Sequence, residues 1–100
     1  MAERQRIAVQ IIGEMAVVRF ADKKIIDSSN IEDMGDEMLS IVTGDHIKHV
    51  LLNFDGVEFM SSAALNKLIN MDREVKKVGG VLRLCNLRAE ILEVFTLTRL

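Results

Sequence analysis

Apolar positions fall in short blocks whose spacing changes along the chain. Ile7 to Ile12 is rich in Ile and Val and reads as a strand; Met15 to Phe20 reads as another. Gly13-Glu14 between them is a two-residue loop with Gly in its first central position. That suits a type II′ turn and makes the pair an antiparallel hairpin. After the polar break Asp22-Lys23-Lys24, the span from Lys24 to Asp27 is a short extended piece. Ser28, Ser29 and Asn30 offer N-caps for a first helix. Glu32 and Asp33 would then lie in its first turn, where the helix dipole favours negative charge. Ile31, Met34, Met38, Ile41 and Val42 recur at helical spacing, and Gly44 closes the element as a C′ residue. Gly35 inside it costs roughly 1 kcal/mol relative to Ala.

Val50 to Phe54 is a compact apolar run and reads as a central strand. Asp55-Gly56 is a turn, and Val57, Phe59 and Met60 lead into Ser61-Ser62, where a second helix starts and runs to about Lys77. Its apolar set is Leu65, Leu68, Ile69, Val75 and Val78, with Asn66, Lys67, Asn70, Arg73, Glu74 and Lys77 facing out. Gly79-Gly80 ends it. Val81 to Cys85 is a further strand, in which Arg83 implies one partly wet sheet face. Arg88 to Phe95 reads as a last helix with Ile91, Leu92 and Phe95 inward. The order is strand, strand, helix, strand, helix, strand, helix. Strand–helix–strand units require parallel neighbours and right-handed crossovers. The expected fold is a small α/β domain whose mixed sheet has four to five strands: a leading antiparallel hairpin, then parallel β-α-β units, with helices mainly on one face.

Composition narrows the function. The 100 residues, with no proline or linker, fit one domain spanning 1–100. The net charge of −2 lacks the basic excess of a nucleic-acid binder, and without Trp or Tyr there is little on which bases could stack. No apolar run approaches a membrane span, and Met1 to Arg6 lacks the apolar core of a signal peptide, so a cytoplasmic protein without membrane insertion is expected. The glycines are too dispersed for a phosphate loop, and no serine sits in a Gly-x-Ser-x-Gly elbow. His46 and His49, with Asp45, could ligate a metal, but such a pair is more often solvated or capping. Cys85, in a predicted strand without a CxxC partner, reads as packing rather than a nucleophile. No enzyme activity, cofactor or metal is expected.

The informative segment is Ser61-Ser62. In its bland reading one hydroxyl is an N-cap. In the sharper one a serine is a phosphorylation site, because a helix N-terminus tolerates a phosphate well.

Val57-Glu58-Phe59-Met60-Ser61-Ser62-Ala63-Ala64-Leu65 resembles the central signature of the STAS domain, a family that includes the bacterial anti-sigma factor antagonists. Ile25-Ile26-Asp27 followed by Ser-Ser-Asn resembles its short strand, Asp and first-helix cap. Val50 to Phe54 resembles its core strand, with Asn53 where an Asp is usual, and Gly79 to Asn86 resembles its glycine turn, strand and closing Asn. Leu87 to Leu100 resembles its third helix. The resemblance implies a STAS-like fold and a binding module for an anti-sigma factor/serine protein kinase, turned off by serine phosphorylation. It also allows for a phosphatase as a second partner. Aligned on Phe59-Met60 and Leu65, the phosphorylated position is Ser62; a one-residue shift makes Ser61 the second choice. Ser61 stands in the place of the family's Asp, Ala63 replaces the second Ser and Ala64 replaces the Gly. The implied partner-binding face comprises Asp27, Ser28, Ser61, Ser62, Asn66 and Lys67. The alternative is a STAS domain without a switch, an accessory part of a transport system. An exposed edge strand also allows weak pairing with a second copy.

Overall fold

A computed structural model describes residues 5–44 and 46–98, with side chains described as far as residue 93. The elements are β1 (Ile7–Ile12), β2 (Met15–Phe20), β3 (Lys24–Ile25), α1 (Ser28–Thr43), β4 (His49–Asn53), β5 (Phe59–Met60), α2 (Ser62–Lys77), β6 (Val81–Cys85) and α3 (Ala89–Thr98). The four-stranded sheet has the order β1-β2-β4-β6, antiparallel between β1 and β2 and parallel thereafter. Asp45, the third member of the metal grouping considered above, and the side chain of Phe95 lie outside the described residues.

The hairpin register places Ile12 opposite Met15 across Gly13-Glu14. Gly13 has φ +62°, and Glu14 is not among the residues of positive φ. That is the type II′ distribution, in which only the first central residue is left-handed. Alternation along β2 and β4 sends Ala16, Val18, Val50 and Leu52 into the core, where they meet Met34, Met38 and Ile41 of α1 and Leu68, Met71 and Val75 of α2. On the other face Val17, Leu51 and Arg83 share a row, and Arg83 is exposed, as its charge requires. Phe54, fully buried just past β4, packs its ring 4.9 Å from that of Phe20.

Several expectations need correction. The extended pieces around Lys24 and Phe59 are strands that pair with each other as a separate two-stranded parallel sheet. The cap of α1 is Asp27, one residue before the three predicted candidates. Glu32 and Asp33 therefore lie beyond the first turn. Gly44 is not a left-handed C′ residue: its φ is −94° and its amide donates to the Ser40 carbonyl at 2.8 Å. The left-handed residue is His46, at φ +58°. Val78 is 39% exposed because it is the C-cap of α2, past the last position that helical spacing aims at the core. Leu92 is 51% exposed; its neighbour Ile91 takes the inward position.

The start of β1 is tied to α1 by Glu37. Its carboxylate accepts from the Arg6 amide at 2.9 and 3.1 Å and from the Ile7 amide at 3.3 Å. Hydrogen bonds to a charged acceptor contribute about 1.5–3 kcal/mol. Glu37→Ala is therefore expected to destabilise the fold by about 2 kcal/mol, or roughly 10 °C in Tm by the usual scaling for a domain of this size. Calorimetry showing an unchanged Tm would refute this role.

Candidate functional site

The candidate site begins where two strands turn into two helices. β3 and β5 are parallel, with Ile25 opposite Met60, and each is followed within three residues by a helix. The Ser61 amide donates to the Ile25 carbonyl at 3.1 Å. The N-termini of α1 and α2 therefore open side by side.

Each opening has its own cap. Asp27 adopts extended backbone, and its Oδ1 accepts from the Ser29 amide at 3.0 Å, the Asn30 amide at 3.2 Å and the Ser29 hydroxyl at 2.8 Å. These bonds favour the negatively charged form of the acceptor. The Ser29 hydroxyl first, and then the backbone amides, hold the Asp27 carboxyl below its ordinary value of 3.8. A carboxyl lowered on folding adds stability that is present above its unfolded pKa and lost as pH falls through its folded pKa. Asp27→Asn keeps a capping oxygen but removes the charge. The expected result is a Tm below wild type at neutral pH, with the gap closing as the pH drops below the Asp range. Parallel melts from neutral to strongly acidic pH check this; a gap constant with pH would refute it.

At α2 the cap is Ser61, also extended, whose Oγ accepts from the Ala64 amide at 3.3 Å. Ser61 is half-buried and engaged. A neutral hydroxyl thus caps the helix at the position where the resemblance expects an Asp. Ser62 is the first helical residue and is exposed, and among the described residues no group hydrogen-bonds its hydroxyl. The capping reading therefore belongs to Ser61, and the Ser62 hydroxyl is left exposed.

Lys67 is not the freely solvated lysine that its helical position predicts. Its Nζ sits 2.9 Å from Glu32 Oε2, linking α2 to α1, and its stem lies over the buried Gly35. A Cβ on residue 35 would stand 2.8 Å from Lys67 Cδ. Gly35 thus lets the lysine cross α1 closely enough to reach its partner. Beside this bridge is a shallow groove of about 270 Å³, lined by Ser28, Ile31 and Glu32 of α1 and by Ala63, Asn66 and Lys67 of α2. Ser28, Asn66 and Lys67 line this groove, and Asp27, Ser61 and Ser62 stand at the two helix openings. From sequence, Glu32 reads only as a first-turn acid and Gly35 only as a helix-weakening glycine, because the α1–α2 contact that gives them this role is a tertiary one.

His46 and His49 lie far along the chain from these caps, beside Glu14 and Lys48 at a depression of about 390 Å³. Among the described residues no group of three or more His, Cys, Asp or Glu is placed to hold a metal ion. Among them, too, no helix is long and apolar enough to cross a membrane.

Paired strand-to-helix openings on a two-stranded parallel sheet, beside a mixed four-stranded sheet, define a small α/β domain with the fold of anti-sigma factor antagonists. The chain belongs to the STAS domain family, whose model matches residues 6–100. A Bordetella bronchiseptica protein named "Putative anti-sigma factor antagonist BtrV" is 27% identical over 74 residues. The match covers 74% of this chain and 63% of that relative, so it spans less than two thirds of the relative's length. Among solved structures, the Bacillus cell fate determinant SpoIIAA in its phosphorylated form superposes with a TM-score of 0.76 at 19% identity, covering 92% of this chain and 82% of that one. Its unphosphorylated form gives 0.74 at 20% identity, covering 90% and 81%. RsbS from Moorella thermoacetica, solved with a serine replaced by glutamate, gives 0.78 at 19% identity, covering 96% and 80%. At these identities the superpositions establish a shared fold.

Proposed function

We propose that this chain is a phosphorylatable protein-binding module. It binds an anti-sigma factor/serine protein kinase through the surface around the two helix caps and is turned off when Ser62 is phosphorylated. The observation that carries the reading is the exposed, unengaged Ser62 hydroxyl at the first position of α2, next to a serine that already caps the helix. A kinase can reach Ser62 without dismantling the cap, and a phosphate there is tolerated by the positive end of the helix dipole. The fold it shares with SpoIIAA, solved in phosphorylated and unphosphorylated forms, supports the same reading.

The activity is one of binding, with no catalytic step assigned to the chain. Intact-mass measurement of the protein purified from its native cells, followed by mapping of the peptide that holds both serines, tests the switch. A phosphate on Ser62 is the expected result. A phosphate on Ser61 instead would move the acceptor, and an unmodified peptide under every growth condition would leave the second reading. That reading is a non-switching STAS subunit of a transport system. Ala63 and Ala64 favour it, because they stand where the antagonist pattern has Ser and Gly.

A further inference from the structure

The cap surface continues beyond the helices onto the outer face of the β3–β5 pair. Ile25 and Met60 point into the core at 2% and 8% exposure, so strand alternation turns their neighbours outward. Those neighbours include Ile26 and Phe59, which are 54% and 53% exposed. Lys24 is opposite Phe59, and Ile26 follows the residue whose carbonyl holds the Ser61 amide. Two large apolar side chains, each about half exposed, thus stand on the outer face of the strand pair that leads into the caps.

On the α1 side of this surface the charge has a single sign, whereas Lys23 and Lys24, both exposed, stand on the β3 side beside Phe59. α1 carries Glu32, Asp33, Asp36 and Glu37 behind its Asp27 cap, with no Lys or Arg anywhere in its length. Glu32, Asp33 and Asp36 are exposed. In the first two turns of α2 the lone cation is Lys67, already paired with Glu32. In a chain of net charge −2 this is a local concentration of anions beside an apolar pair.

We propose that Ile26 and Phe59 are the apolar anchors by which the regulatory partner docks, and that this partner is a protein with an apolar pocket flanked by basic side chains that face α1. A few well-packed, desolvated side chains, aromatic ones prominent among them, carry most of the binding energy at an interface, and complementary rim charge governs approach and register. The inference rests on the binding function proposed above and names which part of the surface the partner grips. A negative charge on Ser62 then opposes docking through desolvation, because closing the contact over it strips the charge of its water.

The test uses the intact chain and the purified anti-sigma factor kinases of its own genome, with affinities measured by calorimetry. Ile26→Ser and Phe59→Ser are each expected to weaken binding about 30-fold, the size of a typical hot-spot loss, while Tm falls by only a few degrees because about half of each side chain is already exposed. Asp33→Lys with Asp36→Lys is expected to weaken binding and to flatten its dependence on salt. Wild-type affinity in the Ile26 and Phe59 variants, with the wild-type chain binding a kinase, would overturn the anchors and leave the proposed function standing. Failure of every kinase to bind the wild-type chain would overturn both. A wild-type dimer that Phe59→Ser converts to monomer, with kinase binding untouched, would assign this face to a second copy and overturn the proposal.

Discussion

Gly80→Ala is expected to destabilise the domain by roughly 3 kcal/mol or more, the upper range for forcing atoms into a packed site. The equivalent loss in Tm is about 15 °C. Its neighbour gives the contrast. Gly79 is left-handed at φ +74°, with open space where a Cβ would go, and Gly79→Ala costs only the usual 1–2 kcal/mol of that backbone region. Together the two glycines end α2 in a Schellman turn: the Gly79 amide donates to the Lys76 carbonyl at 3.0 Å and the Gly80 amide to that of Val75 at 2.9 Å. Gly80 is not left-handed. A Cβ there would land on the Lys48 carbonyl oxygen, stand 2.9 Å from the Lys48 carbonyl carbon and 3.0 Å from Val75 Cγ1. The same oxygen accepts the Val81 amide at 2.9 Å, the first bond that draws β6 onto β4. Backbone cannot rotate away as a side chain can, so the clash must open the sheet edge. Thermal melts of the two variants decide the matter: a Gly80→Ala protein at least as stable as Gly79→Ala would refute the close-approach argument.

The glycine pair also marks the boundary of what the sequence discloses. That a helix ends there follows from composition, and so do the bounds of β1, β2 and β6, where alternation is strong and turn residues flank the run. Which glycine supplies a left-handed turn and which a close approach depends on Lys48, about thirty residues upstream, and no local pattern encodes it. The same limit hid the β3–β5 sheet. Two-residue strands have no period to detect, and Lys24-Ile25 pairs with Phe59-Met60 only after α1 and β4 have placed them. Asp27 captured the cap of α1 from Ser28 because a carboxylate can accept the Ser29 amide, the Asn30 amide and the Ser29 hydroxyl together. A serine at position 28 would have begun the helix one residue later. At the candidate site, a serine cap was legible, and the structure gives it to Ser61 while leaving Ser62 exposed. The bridge from Lys67 to Glu32 over Gly35, and the exposure of Ile26 and Phe59, are products of assembly.

Ser62→Asp should separate folding from binding. As the first residue of α2, exposed and without a hydrogen bond among the described residues, Ser62 contributes little to stability through its hydroxyl. An acid at a helix N-terminus gains about 0.3–1 kcal/mol from the dipole, so the Tm should hold or rise slightly. Ser61→Ala is the contrasting control: it removes the bond to the Ala64 amide and should cost about 1 kcal/mol, the usual loss for a serine N-cap. Under the proposed function, binding should respond to Ser62 in the opposite way. A carboxylate sealed into an interface without a partner loses its water and costs several kcal/mol. At 1.4 kcal/mol per tenfold, even about 2 kcal/mol of that cost lowers affinity for the kinase about 30-fold, and a phosphate of −1.5 to −2 charge should do more. Ser62→Ala should bind like wild type, because it removes the acceptor and adds no charge. The measurement is a titration of the kinase with the three variants beside their melting curves. Equal affinity of Ser62→Asp and wild type, with both folded, would show that charge at this position is not sensed. A loss of binding that instead tracked Ser61→Ala would show that the partner reads the geometry of the cap rather than its charge.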